Sequence, residues 1–382
     1  AWLSRCRPAG MSEPVAQLEA PPATRPIPAA RRHPLRALLA GLVGLVLLAA
    51  FAPVPYVALA PGPTEDTLGA INGTPLIGIS GRRTYPAQGR LELVTVSVTG
   101  GPGSRLDLVT ALRGWVDGHV AVVPEETVYP PDVTAEQVRD QNVAEMALSQ
   151  QDATVAALRH LGIAVQGPYV AVTAVVRGQP ADGRLRPGDR ILAVDGHRVT
   201  NPGQVREAIE AHAPGERVAV TVRRAGVDRR LVLTTSSEGG RTVVGFYPGV
   251  VYDYPFRVRI DPGEIGGPSA GLMFALGIVD KLTPGSLTGG AVVAGTGTID
   301  PQGRVGPIGG IQQKIAGAAR SGARYFLAPR GNCADIPDPT SSRPRVVAVS
   351  TLDEALSALQ SIRAAAASGR TPAHLPACPA GG

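Results

Sequence analysis

Lysine is nearly absent from this chain: of its 37 basic residues only Lys281 and Lys314 are lysines, and the rest are arginines. Neither lysine closes a G-x-x-x-x-G-K-[ST] run, which excludes a phosphate-cradling loop of that type and the ATP-driven work that depends on it. Histidine is sparse as well, at six residues, with no metal-ligand spacing such as H-E-x-x-H. The spacing gives no support to a Ser-His-Asp triad and does not exclude one, because triads assemble in space. Three cysteines without a neighbouring histidine pair do not make a zinc site, so neither metal nor cofactor is expected. Aromatic residues are only 4% of a chain that is 44% hydrophobic, so its cores are expected to be built from Val, Ala and Leu. At 382 residues it has room for two or three domains.

An excess of positive charge over the body of the chain is also missing. The first 36 residues hold six arginines, Glu13 and Glu19; removing them from totals of 37 basic and 31 acidic residues leaves 31 and 29. So balanced a body gives no electrostatic case for a nucleic-acid partner.

The arginines flank an apolar run. Residues 37–52 are only Ala, Leu, Gly, Val and Phe, and no charge follows until Glu65. Counted as helix to Ala60, the stretch rises roughly 36 Å, enough to cross a bilayer core. With Arg25, Arg31, Arg32 and Arg36 before it and Glu65 and Asp66 after it, the positive-inside rule puts the N-terminus in the cytoplasm and the rest outside. The expectation is a disordered cytoplasmic tail at 1–34 and a single transmembrane anchor at 35–60. Residues 1–10 precede Met11 and read as upstream translated sequence. The alternative is a cleaved signal peptide, but both Ala-x-Ala sites, ending at Ala52 and Ala60, are followed by proline. Outside the membrane Cys333 and Cys378 form an even pair, so a disulfide between them is expected.

Further along, Leu91–Thr99 reads as a strand and Ser104–Trp115 as a short helix. Thr134 with Gln137 three residues on is a capping box that opens a helix, and a second helix is expected over Ala153–Leu161. Residues 160–237 then show an ordered grammar. Leu185 to Gly196 reads as turn, buried strand and turn; Asn201-Pro202 opens a helix with proline at its first position. Val218, Val220 and Val222 alternate as a strand, with Leu231 and Leu233 paired to it across Ala225-Gly226. This ordered set resembles a PDZ domain. The resemblance implies recognition of peptide C-termini by strand addition beside a helix. It makes Leu161, Gly162 and Ile163 the candidate carboxylate loop, with Gly167-Pro168-Tyr169-Val170 competing. A PDZ domain that only orients its neighbour stays open.

The chemistry-bearing residues come later. Gly267-Pro268-Ser269-Ala270-Gly271 precedes an apolar run, Leu272–Val279, long enough for two helical turns. A serine at a helix mouth can be a plain N-cap. It can also be a nucleophile whose oxyanion is held by free N–H groups and the helix dipole. Ile311, Lys314, Ile315 and Ala318 fall on one helical face, which puts a lysine among apolar residues near the positive dipole end. Desolvation and dipole both lower its pKa, so that a neutral amine could take a serine proton. Arginine could not.

These stretches resemble the proteolytic domain of Lon peptidases. The nucleophile motif matches at 267–271, the Pro-Ile-Gly-Gly turn at 307–310, and the catalytic lysine four positions later is Lys314. By the same resemblance Thr296 supports the dyad, and the backbone N–H of Ala270 is a candidate oxyanion donor. Gly266 stands where many relatives have an acidic residue, so that role is absent or taken by Glu264. With the anchor and the PDZ-like module, the chain resembles membrane-bound PDZ-containing Lon-like proteases.

The implied fold is α+β: a Lon-type peptidase split by an inserted PDZ domain. The expected segments are 61–155 for its first part, 156–238 for the PDZ domain, 239–365 for the proteolytic domain and 366–382 for a tail. The implied function is ATP-independent, membrane-bound serine endopeptidase action on protein or peptide substrates, with the PDZ domain either recognising substrate C-termini or regulating the peptidase. Because Lon relatives form rings, a homo-oligomer is a candidate state. The alternative class is a non-catalytic PDZ receptor or scaffold with a decayed peptidase core.

Overall fold

The computed structural model describes residues 34–337, 343–372 and 374–379; the expected cytoplasmic tail up to residue 33, with Met11 and Cys6, lies outside them. The chain divides into two units, residues 1–52 and 53–382. In the first, the apolar run forms helix α1 (Pro34–Ala50), with Leu38, Leu42, Leu45 and Leu48 all exposed. The helix expected to reach Ala60 stops ten residues short of it. Pro53 and Pro55 cannot donate to a helical ladder, and residues 53–54 and 56–66 are strands instead. Among the described residues no helix is long and apolar enough to cross a membrane.

In the second unit, β1 (Tyr56–Asp66) and β2 (Arg90–Thr99) pair antiparallel. The short helix α2 (Leu108–Val116) is capped by Asp107, and β3 (Ala121–Pro124) adds to the outer edge of β1. Helix α3 (Ala135–His160) starts at the Thr134–Gln137 capping box and runs 26 residues without a break. The two helices expected here are one, because no glycine or proline interrupts 135–160.

An antiparallel module follows. Its strands are β4 (Gln166–Val175), β5 (Arg190–Val194), β6 (Arg217–Arg224), β7 (Val227–Thr234) and β8 (Phe246–Asp253), with helix α4 (Pro202–Glu210) after β5. Asn201 caps α4 and Pro202 opens it. Val218 faces Leu233 and Val220 faces Leu231 in the β6–β7 hairpin. The sheet order is β7-β6-β5-β4-β8, so the module runs past residue 238 to Asp253. Its other boundary also moves: Ala156 and Ala157 pack in the core of the main sheet, apart from the module's own core around Val194, Val205 and Val220.

After the module come α5 (Gly271–Leu282), β9 (Val292–Gly295), α6 (Ile311–Arg320), β10 (Tyr325–Pro329), β11 (Arg345–Val349) and α7 (Leu352–Ala367). One mixed sheet in the order β11-β10-β9-β2-β1-β3 joins strands from both sides of the module. β9 lies parallel to β2 and to β10, and β10 parallel to β11. Helix α5 is apolar on every face from Gly271 to Val279 and therefore central. Leu272, Met273, Phe274, Leu276 and Ile278 are fully buried, each contributing about 2 kcal/mol, so Phe274→Ala should cost about 3–5 kcal/mol. The expected tail is tied down as well: the Ala348 N–H donates to the Pro376 carbonyl at 3.0 Å, and Cys378 bonds Cys333 as a disulfide.

Candidate active site

Helices α5 and α6 and the chain that follows β9 meet beside a cavity of about 650 Å³ lined by Ser269, Ala270 and Lys314. Ser269 and Ala270 sit at the mouth of α5, Thr296 directly follows β9, and Lys314 lies in the first turns of α6. Gly310, the residue before α6, has φ +67°, the left-handed region that favours glycine. A Cβ there would meet Val96 Cγ2 at 2.7 Å. Glycine thus lets the Ile308-Gly309-Gly310 turn close against β2 and aim α6 at the site.

Lys314 is 4% exposed. Its Nζ lies 2.8 Å from Ser269 Oγ and donates to Thr296 Oγ1 at 3.0 Å. Thr296 Oγ1 in turn donates to the Ser269 carbonyl at 3.0 Å. Burial lowers the Lys314 pKa from 10.5 to about 8, because the charged ammonium loses its water. No carboxylate hydrogen-bonds to it among the described residues; Glu264 lines the cavity but bonds neither Lys314 nor Ser269.

The Thr296 hydroxyl proton is committed to the Ser269 carbonyl, so its oxygen accepts from Nζ. As an ammonium Lys314 donates to both Thr296 and Ser269; once neutral it can keep the threonine bond and turn its lone pair to the Ser269 hydroxyl. The Ser269 carbonyl is gripped a second time, by the Gly297 N–H at 2.8 Å. The Ser269 and Ala270 N–H groups find no acceptor among the described residues, whereas that of Leu272 donates to Gly297 at 3.0 Å. On the near wall, β9 covers β2 only as far as Leu93, and Val94–Ser97 line the cavity.

The candidate PDZ loop is placed elsewhere and is otherwise engaged. The N–H groups of Leu161, Gly162 and Ile163 donate to Ala157, Arg159 and Leu158, closing the C-terminus of α3. A carboxylate would find none of them free, which corrects the sequence reading. The competing segment from Gly167 to Val170 sits in β4, between β5 and β8. The open edge beside α4 belongs to β8, entered through Val244, Gly245 and Phe246; nothing in the residue pattern marked it, because its place depends on pairing with β4, about 75 residues earlier.

Two family profiles match this chain. One, described as PDZ domain, covers residues 135–235. The other, described as Lon protease (S16) C-terminal proteolytic domain, covers residues 259–361 and so contains Ser269, Thr296 and Lys314. The chain joins a PDZ domain to a Lon-type proteolytic domain. The Lon protease of Azorhizobium caulinodans is 42% identical over 183 residues, 46% of this chain and 21% of that protein. Lon protease 1 of Bacillus subtilis is 32% identical over 187 residues, 46% of this chain and 23% of that one. The chain therefore spans about a fifth of the length of the curated relatives it matches. Among solved structures, the PDZ domain of an SdrC-like protein from Listeria monocytogenes overlaps 22% of this chain and 93% of its own, at 19% identity and a TM-score of 0.21.

Proposed function

We propose that this chain is a serine endopeptidase that hydrolyses protein substrates without ATP, with Ser269 as nucleophile and Lys314 as general base. One observation carries the reading: a buried lysine amine 2.8 Å from the hydroxyl of Ser269. A substrate strand lies along the open edge of Val94–Ser97, in the manner of strand addition. Ser269 Oγ attacks the scissile carbonyl carbon while its proton passes to Nζ, and the oxyanion is held by the Ala270 and Ser269 N–H groups. The tetrahedral intermediate collapses, the C–N bond breaks, and Nζ returns the proton to the leaving amine. Water then attacks the acyl-serine, giving one proton to Nζ; the C–Oγ bond breaks, Ser269 recovers that proton, and the product leaves as the carboxylic acid, which ionises in solvent.

The PDZ domain receives a substrate C-terminus between β8 and α4, with Val244, Gly245 and Phe246 as the carboxylate loop. The chain is anchored through its apolar N-terminal run, with the arginine-rich end in the cytoplasm and the peptidase outside. The charge asymmetry around residues 37–52 supports this placement, as does a Cys333–Cys378 disulfide in an oxidising compartment.

The test is hydrolysis of fluorescein-labelled casein by the purified, washed chain. Turnover without nucleotide that vanishes in Ser269→Ala is expected. Turnover only on adding ATP removes the ATP-independent claim. No turnover under any condition leaves the PDZ scaffold.

A further inference from the structure

The peptide unit between Pro268 and Ser269 carries one of the N–H groups at the mouth of α5 that find no acceptor among the described residues, and a single side chain holds it. Ser149, in the middle of α3 and 5% exposed, donates its hydroxyl to the Pro268 carbonyl at 3.0 Å, across 119 residues of sequence. A serine inside a helix ordinarily bonds its own helix or solvent. Thr154, five residues on, does so, donating to the Gln150 carbonyl at 2.8 Å. Ser149 reaches out of its helix instead.

The neighbouring peptide units are held differently. The Ser269 carbonyl, which sets the direction of the Ala270 N–H, has two donors, Thr296 Oγ1 and the Gly297 N–H. The Gly267 N–H donates to the Asn142 carbonyl of α3 at 3.1 Å. Between them the Pro268 carbonyl has Ser149 alone among the described residues. In a trans peptide the C=O and N–H point in opposite directions. Holding the Pro268 oxygen toward α3 therefore turns the Ser269 N–H away from α3. With the Ser149 hydroxyl absent, that plane is free to rotate and the N–H loses its fixed aim.

We propose that Ser149 is a positioning residue for catalysis, fixing the Pro268–Ser269 peptide so that the Ser269 N–H meets the oxyanion. The inference rests on the peptidase reading above. Its signature is a loss in the transition state: substrate binding along β2 is untouched, as is the Lys314 base, whose amine bonds only Ser269 and Thr296 among the described residues.

The test uses the full chain and a quenched fluorogenic peptide that the wild type cleaves. Ser149→Ala is expected to lower kcat about 10- to 100-fold, short of outright removal of an oxyanion donor. KM should stay within about threefold, and the pH midpoint of kcat should not move. Affinity for a peptide boronate, which forms the tetrahedral adduct on Ser269, should fall in step with kcat, whereas the product peptide acid should bind as to wild type. Ser149→Thr, which keeps the hydroxyl, should recover most of the rate. If Ser149→Ala does not fold, Ser149→Cys, with its weaker donor, should show a smaller loss of the same kind. A folded Ser149→Ala or Ser149→Cys with wild-type kcat overturns the inference alone, as does a loss confined to KM or a shifted pH midpoint. A wild-type chain without peptidase activity overturns the peptidase reading and this inference with it.

Discussion

Lys314 and Ser269 stand 2.8 Å apart, nitrogen to oxygen, with the amine buried and no carboxylate bonded to it among the described residues. A buried amine without a counter-charge is easier to deprotonate, which is what a base near neutral pH requires. Activity should therefore climb as pH rises through about 8, where the Lys314 amine becomes neutral. Lys314→Arg keeps the charge and removes the ability to lose it, so it should be about as inactive as Ser269→Ala, and the double variant little worse than either. Initial rates from pH 6 to 10 decide this; a folded Lys314→Arg chain with more than a few per cent of wild-type turnover would refute the base.

The same burial makes Lys314 costly to the fold. Its folded pKa is depressed, from 10.5 to about 8, so the unfolded chain binds more protons between those values and stability rises with pH across that window. Lys314→Met, which keeps the stem and removes the charge, should abolish hydrolysis while raising stability at pH 7 by up to about 3 kcal/mol. The advantage should shrink as pH climbs from 8 toward 10.5. Denaturant midpoints at pH 7 and 10 measure it; equal gains at both would contradict the assignment.

Thr296 is 1% exposed and bonds both members of the pair's neighbourhood, Nζ and the Ser269 carbonyl. Thr296→Val keeps the shape but removes both bonds. Without that acceptor Nζ is no longer held in place, so kcat should fall about 10- to 100-fold, less than the roughly 100- to 10,000-fold that a general base itself contributes. Thr296→Ser should retain most of the rate. A valine variant with unaltered kcat would show that the threonine only fills space.

The Cys333–Cys378 disulfide closes a separation of 45 residues. Cys378→Ser should lower stability by about 2–4 kcal/mol, with little change in kcat, because the bond lies outside the cavity. Mass spectrometry of the non-reduced chain checks the bond itself, and two free thiols would remove it.

A further pH effect belongs to Asp152 on α3. Burial, and then the charge of Asp300, raise its pKa from 3.8 to about 6. A raised carboxyl means that the folded chain holds the proton longer than the unfolded one, so stability falls as pH rises from about 4 to 6 and is level above. Asp152→Asn should flatten that limb, read from thermal midpoints between pH 4 and 8. An unchanged slope would place its origin elsewhere.

What was legible in advance was local. The Thr134 capping box, the Asn201-Pro202 helix start and the β6–β7 hairpin follow from backbone hydrogen bonding between near neighbours, so a few residues suffice to write them. Ser269, Thr296 and Lys314 stood out because motif spacing and the rarity of lysine mark them. The sequence by itself also determined that the apolar run Leu272–Val279 must be buried, whereas the end of the first helix at Ala50, ten residues before Ala60, was settled by the strands that begin at Pro53. Tertiary structure alone decided the rest. The hold of Ser149 on the Pro268 carbonyl spans 119 residues, and nothing around a serine in a helix tells which distant carbonyl it will meet. The open edge of β8 exists because that strand pairs with β4 rather than with another partner. Leu161, Gly162 and Ile163 look like a ligand loop until α3 is seen to need their N–H groups. Local pattern fixes which groups can bond; only the packed chain, through the burial and pairing it imposes, assigns each to a partner or leaves it free for a substrate.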